Sequence, residues 1–312
     1  MKVRIVCSGT MPDFDFKKHQ AFIYDQVEAI KSGDNTISFH YFFIQKRGFS
    51  GYLSELKRLR KEQANMPCDL IHAHFGLSAL FAALQFTEPF VATFHGSDIN
   101  KLFSRFLSAF AAIRAAATLF VSEKLQHKAI CTGNSYVVPC GIDLSLFKPM
   151  DKSECRKELE LKPNKQYILF SSSFSNPVKN YKLLDDALKL WRGEKPEVLE
   201  LWNISREKVP LWINAVDVCV LTSFSEGSPQ FIKEAIACNK AIVATDVGDI
   251  SERFGKAANL RITTFEADNL HKTLFEVLRQ KMANDRILVR DLDNSIIADK
   301  IISIYKSVIK KV

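Results

Sequence analysis

The sequence predicts an α/β protein of two tandem domains, each a doubly wound parallel sheet with helices on both faces. Short apolar runs alternate with longer stretches of helical spacing from one end of the chain to the other, and such alternation winds a parallel sheet. The strand runs are mostly apolar, as strands covered on both faces require. At 312 residues the chain also exceeds what one hydrophobic core usually serves.

In the first half, residues 3–7, 37–43, 69–74, 90–94, 118–121 and 136–138 read as strands. Residues 16–31, 53–63, 77–85, 102–115 and 123–130 between them carry apolar positions at helical spacing. A second series has strands at 167–171, 198–201, 217–221, 241–245 and 259–262, with helices at 183–190, 207–213, 231–238 and 268–280. The stretch 147–164 is polar, with Pro149, Pro163 and a cluster of charges. The expected division is an N-terminal domain over 1–148, a linker over 149–164, a C-terminal domain over 165–292, and a terminal helix over 293–312 that packs back on the first domain. Ligands of such sheets bind outside the carboxyl ends of the strands, so two of them can serve one central cleft.

A content of 47% apolar and 25% charged residues excludes disordered, collagen-like and coiled-coil chains. The net charge of +8 favours an anionic partner: phosphate, nucleic acid or a membrane surface. No run reaches the ~18 apolar residues of a membrane span, since Arg114 interrupts the best candidate. Residues 1–7 read as a strand and not as a signal peptide. The seven cysteines are odd in number and without a Cys-x-x-Cys pair, as in a reducing compartment, so a cytoplasmic location is expected. Lys46, Arg47, Lys57, Arg58, Arg60 and Lys61 lie near Phe49, Tyr52 and Leu53, and Lys101 and Arg105 are interleaved with Phe103, Phe106 and Phe110. Such mixtures suit an anionic bilayer on the inner face of the cell membrane, or simply a solvated helix face. Dispersed cations and the lack of a recognisable module argue against nucleic acid.

The densest chemical signal spans residues 221–239. An apolar strand ends at Leu221 and a polar loop follows. Ser228 suits a helix N-cap, Pro229 the first helical position, and Asn239 the far end. A helix opening at a sheet's carboxyl edge offers backbone N–H groups to an anion, and Gly227 allows close backbone approach. Glu226 in the loop and Glu234 about one and a half turns into the helix can accept hydroxyl hydrogen bonds at two places along one ligand. His72 and His74 alternate on a strand without further ligands at zinc-like spacing, which favours a structural or cleft-side role.

The Glu226–Glu234 spacing within Ser-Glu-Gly-Ser-Pro resembles the Glu-x7-Glu motif of family 4 retaining glycosyltransferases of the GT-B fold. Four further segments are similar to that family in the same order: His95-Gly96-Ser97-Asp98; Val121-Ser122; Val138-Pro139-Cys140-Gly141-Ile142-Asp143 with Phe147; and residues 246–252. The resemblance implies two Rossmann-like domains facing a central cleft, and a nucleotide-diphospho-sugar as donor. It implies no cofactor and no metal. Glu226 would hold the donor sugar and Glu234 the ribose, with Gly227, Ser228 and Pro229 near the sugar. Lys179 would neutralise the diphosphate, and His95 would lie near the reacting face. Gly9, His74, Asp98 and Ser122 fall on the acceptor side. The family's usual Arg, six residues before the Lys, is Ser173 here. Ser172 and Ser173 can donate hydroxyl hydrogen bonds but no charge, so either another cation substitutes, with Lys182 one nearby candidate, or donor binding is weak or activity is lost.

The implied activity is hexosyl transfer, with retained anomeric configuration, to a hydroxyl of a glycan or lipid-linked glycan in cell-surface polysaccharide or lipopolysaccharide synthesis. The alternatives are another GT-B enzyme, such as a nucleotide-sugar epimerase or a phosphorylase, and a non-catalytic nucleotide-sugar-binding subunit.

Overall fold

A computed structural model describes residues 1–11, 13–85, 87–280 and 283–310, the side chain of Phe49 excepted. The chain divides into two compact units, residues 1–141 with 294–312 and residues 142–293.

The strands of unit 1 are β1 (Lys2–Ser8), β2 (Ser38–Ile44), β3 (Leu70–His74), β4 (Phe90–Phe94), β5 (Ala117–Phe120) and β6 (Ser135–Val137). They form one parallel sheet in the order β2-β1-β3-β4-β5-β6. Alternate side chains of β1 feed opposite layers. Val3, Ile5 and Cys7 meet the helices Ala21–Gly33 and Asn294–Ile309, while Val6 meets the layer built on Gly76–Gln85 and Leu102–Arg114. The expected helix over 16–31 is broken at Gln20, whose side-chain amide donates to Ser8 O at 2.7 Å.

Unit 2 has β7 (Tyr167–Phe170), β8 (Glu197–Glu200), β9 (Val218–Leu221), β10 (Ala241–Thr245) and β11 (Leu260–Thr263), all parallel in the order β11-β10-β9-β7-β8. Ile168, Phe170, Val218 and Val220 pack under the helices Tyr181–Lys189 and Ala267–Val277. Tyr167, Leu169, Cys219 and Leu221 pack under Val209–Ala215 and Gln230–Ala237.

The chain passes between units at Gly141–Ile142, earlier than the expected end of the first domain at 148. The stretch 149–164 is not a linker: it belongs to unit 2 and carries the helix Lys152–Glu158, capped by Asp151. Its charges misled the reading because one of them is internal. Arg156 is buried, donates from Nε to Ala215 O at 2.9 Å, and pairs with Asp217 at 2.8 Å. The second passage lies at Asp293–Asn294, and the final helix belongs to unit 1.

Candidate active site

In unit 2 the strand order reverses between β7 and β9, the position where diverging connections leave a crevice at the carboxyl edge. Two loops leave it. After β7, Asn176 caps the short turn Pro177–Lys179 by accepting from Val178 N–H at 3.1 Å, and Asn180 takes the left-handed conformation. After β9, Thr222 Oγ1 lies 2.9 Å from the carbonyls of both Lys179 and Asn180, and Phe224 N–H donates to Val178 O at 2.9 Å. Thus stitched together, the loops bring Lys179 Nζ within 2.6 Å of Glu226 Oε1. Ser223 Oγ donates to the same oxygen at 2.6 Å.

Glu234 lies on the helix Gln230–Ala237 and is buried. Its Oε1 meets Nη1 of Arg206 at 2.6 Å. Each acid of the pair is therefore matched by a cation from another segment. Arg206 escaped the sequence reading, because a single Arg between a strand and a helix carries no spacing signal.

The helix starts one residue later than expected. Gln230 is its first residue and Pro229, in extended conformation, takes the cap position. Ser228 does not cap it, because its hydroxyl donates to Asp249 Oδ2 at 2.7 Å. Asp249 is buried, and a bond to a buried carboxylate outweighs a neutral cap. The stretch 246–252 also abuts Gly227: Gly248 has φ +64°, and a Cβ there would lie 2.7 Å from Gly227 O. Asn239, just past the helix, is left-handed, as an end residue should be.

Ser172 and Ser173 are buried behind the Lys179 turn, with Ser173 Oγ 2.8 Å from Ser175 Oγ. Ser171 Oγ is buried with no hydrogen-bond partner among the described residues. Lys182 does not substitute for the absent Arg: 79% exposed, it is turned onto Asp186 one helical turn away.

In unit 1 the order reverses between β1 and β3, and two cavities open around the strand ends. One, of 340 Å³, is lined by Phe75, Gly76, Asp98, Lys101 and Ser104 among others. The other, of 630 Å³, has Gly9 beside the rings of Phe14, Phe16 and Phe43. Gly9 is required there, since a Cβ would come 2.8 Å from that of Phe43. Asp98 accepts from His95 N–H at 3.0 Å and Gly96 N–H at 2.7 Å, so it shapes the turn that carries His95. Burial holds its carboxyl above the ordinary value despite those donors. Ser122 caps the helix Glu123–Lys128. His95 Nε2 lies 3.1 Å from His74 Nδ1, and His95 Nδ1 lies 3.7 Å from the Cys140 sulfur. Behind them His72 bridges Thr93 Oγ1 at 2.7 Å and Tyr305 Oη at 2.5 Å. Burial pushes His72 down to about 3 and His74 well below the usual histidine range, so both are neutral. Among the described residues no group of three His, Cys, Asp or Glu side chains could hold a metal ion.

Comparison with known proteins accords with this geometry. A model of "Glycosyltransferase Family 4" matches residues 1–146, and one of "Glycosyl transferases group 1" matches residues 198–307. The chain belongs to glycosyltransferase family 4. TuaC of Bacillus subtilis (strain 168), assigned to teichuronic acid biosynthesis as a glycosyltransferase, is 32% identical over 241 residues, covering 68% of this chain and 62% of that protein. This family 4 chain thus matches about 60% of the length of its curated relatives. Sucrose-phosphate synthase from Thermosynechococcus elongatus superposes with a TM-score of 0.83 at 16% identity over the full length of both chains. Anabaena HepE, solved in complex with UDP, gives 0.77 at 18% identity over 98% of this chain and 100% of its own. The family 4 chain therefore has the GT-B fold.

Proposed function

We propose that the protein transfers a hexose-type sugar from a nucleotide-diphospho-sugar to a hydroxyl of a glycan or lipid-linked glycan, with retention, in cell-surface polysaccharide synthesis. The observation that carries this reading is the meeting of Lys179 and Glu226 at the unit 2 switch point, with Glu234 on the adjoining helix. Lys179 and the backbone N–H groups opening that helix neutralise the diphosphate as its bond to the anomeric carbon breaks. When the diphosphate draws Lys179 away, Glu226 is released to accept hydroxyls of the sugar. Glu234 accepts the ribose hydroxyls. Ser171, Ser172 and Ser173 add neutral donors to the phosphates. The departing phosphate takes the acceptor's proton, so no side-chain nucleophile is needed, and charge neutralisation by Lys179 makes the reaction independent of metal. HepE binds UDP, which supports a nucleotide donor for this chain too. Unit 1 presents the acceptor, and within it His95 is held by Asp98 and His74.

The partner surface is a bilayer. Leu102, Phe103, Phe106, Phe110 and Ile113 are all exposed on the helix Leu102–Arg114, Phe103 by 77%. Neither that helix nor Gly76–Gln85, which packs beside it, carries an acid. An apolar stripe on an acid-free face suits anionic lipid.

The test is release of nucleoside diphosphate from UDP-, GDP- and dTDP-sugars with glycan or lipid-linked acceptors. Turnover is expected with one donor, with the anomeric configuration retained and no change on adding a chelator. Glu226→Ala should lower it about a hundred- to a thousandfold, the scale of losing a transition-state contact, with nucleotide still bound. Unchanged turnover in that variant would refute the assignment.

A further inference from the structure

Arg206 opens the turn Arg206–Lys208 that follows β8, yet its guanidinium is committed to the helix that carries Glu234. It is fixed from several sides. Its central carbon stands 4.5 Å over the ring of Phe147, which is fully buried and whose carbonyl accepts from Arg286. Asp143 lies close by, and although burial works against its charge, the Ser145 hydroxyl, the backbone N–H groups of Ser145 and Leu146 and the attraction of Arg206 keep its carboxyl below the ordinary value. A guanidinium facing a carboxylate commonly takes both oxygens. Here Nη1 meets Oε1 at 2.6 Å, and Oε2 of Glu234 accepts no hydrogen bond among the described residues. A buried carboxylate needs such a compensating charge to remain in place, and its torsions need a fixed contact to point one way.

We infer that Arg206 is a positioning residue for nucleotide recognition, locking Glu234 through Oε1 so that Oε2 is kept as the acceptor for the ribose hydroxyls of a nucleoside diphosphate. This rests on the reading of Glu234 as the ribose acceptor. It gives Phe147 a purpose as well, as the platform that holds the guanidinium flat. Arg206 sits on the nucleoside side of the donor, so it complements Lys179 rather than replacing the charge missing at Ser173.

The experiment is calorimetric titration of wild type, Arg206→Gln and Arg206→Lys with UDP, GDP and their 2′-deoxy forms, with thermal melts to confirm folding. Wild type should prefer one ribonucleotide over its deoxy form by about tenfold, the worth of one good hydrogen bond to a charged group. Arg206→Gln should weaken the ribonucleotide by a similar factor and bring the ratio close to one, and Arg206→Lys should restore part of it. A merely structural role would weaken both forms equally, and that result, or an unchanged ratio, overturns the inference alone. A wild type that binds nucleotide without any ribose preference removes the ribose role of Glu234 and this inference with it. A wild type that binds neither ribonucleotide overturns this inference, and one that binds no dTDP either overturns the donor reading as a whole.

Discussion

Lys179 and Glu226 form a partly buried ion pair, 23% and 16% exposed, at the centre of the proposed donor site. Removing the cation leaves the diphosphate without its charge-assisted contact, which is worth about 1–3 kcal/mol. Lys179→Ala should therefore weaken binding of a nucleoside diphosphate about ten- to a hundredfold while leaving the bare nucleoside unaffected, a difference that calorimetry reads directly. In unit 1 the buried histidines make stability depend on pH. The folded state holds His72 at about 3 against an ordinary 6.5, so between those values the unfolded chain binds a proton that the folded chain does not. The contribution is complete above about pH 6.5 and is lost as pH falls toward 3, at about 1.4 kcal/mol per pH unit. Denaturant midpoints at pH 7, 5.5 and 4.5 should fall steeply for wild type and less steeply for His72→Gln. Parallel slopes would contradict this account of His72.

At the scale of elements, the donor loop depends on two segments touching. Gly248→Ala would place a methyl group 2.7 Å from Gly227 O at a left-handed position, a strain of about 1–3 kcal/mol. The expected result is a raised KM for the donor together with a melting temperature lowered by a few degrees. The strand–loop–helix around Glu226 was legible in the sequence, because a strand end, Gly227, Pro229 and Asn239 are local signals. The cap was not, because Asp249 draws the Ser228 hydroxyl away and its approach is a tertiary event. Nor was Lys152–Glu158 legible, since a charged stretch reads as solvated until Arg156 is seen under the sheet against Asp217. Arg156→Ala leaves that carboxylate with Lys152 as its one ion-pair partner among the described residues, and should destabilise unit 2 by about 3 kcal/mol in denaturant unfolding.

For the whole molecule, the alternation of strands and helices was enough to give two parallel sheets, while the point of division was not. The sequence marks composition, whereas the boundary follows contacts, and these carry residues 142–164 into unit 2. The terminal helix is bound to unit 1 through Ile297, Ile301, Tyr305 and Val308, all buried in the layer under β1. A buried polar anchor of that helix is the Tyr305–His72 bond, so Tyr305→Phe should cost about 1 kcal/mol, measured as a lowered unfolding midpoint. His72 and His74 were legible as residues sharing one side of a strand. Their link to His95 was not, because it depends on β4 lying next to β3. The central claim is that the carboxyl edge of unit 2 grips a nucleotide-diphospho-sugar between Lys179, Glu226 and Glu234. Thermal unfolding with saturating UDP-, GDP- and dTDP-sugars tests it most directly, since a ligand at a hundred times its Kd adds about 2.7 kcal/mol of stability. The account predicts a rise of several degrees with one donor, reduced in both Lys179→Ala and Glu234→Ala. A wild type whose melting is unmoved by every donor, or a shift that survives both substitutions, would contradict it.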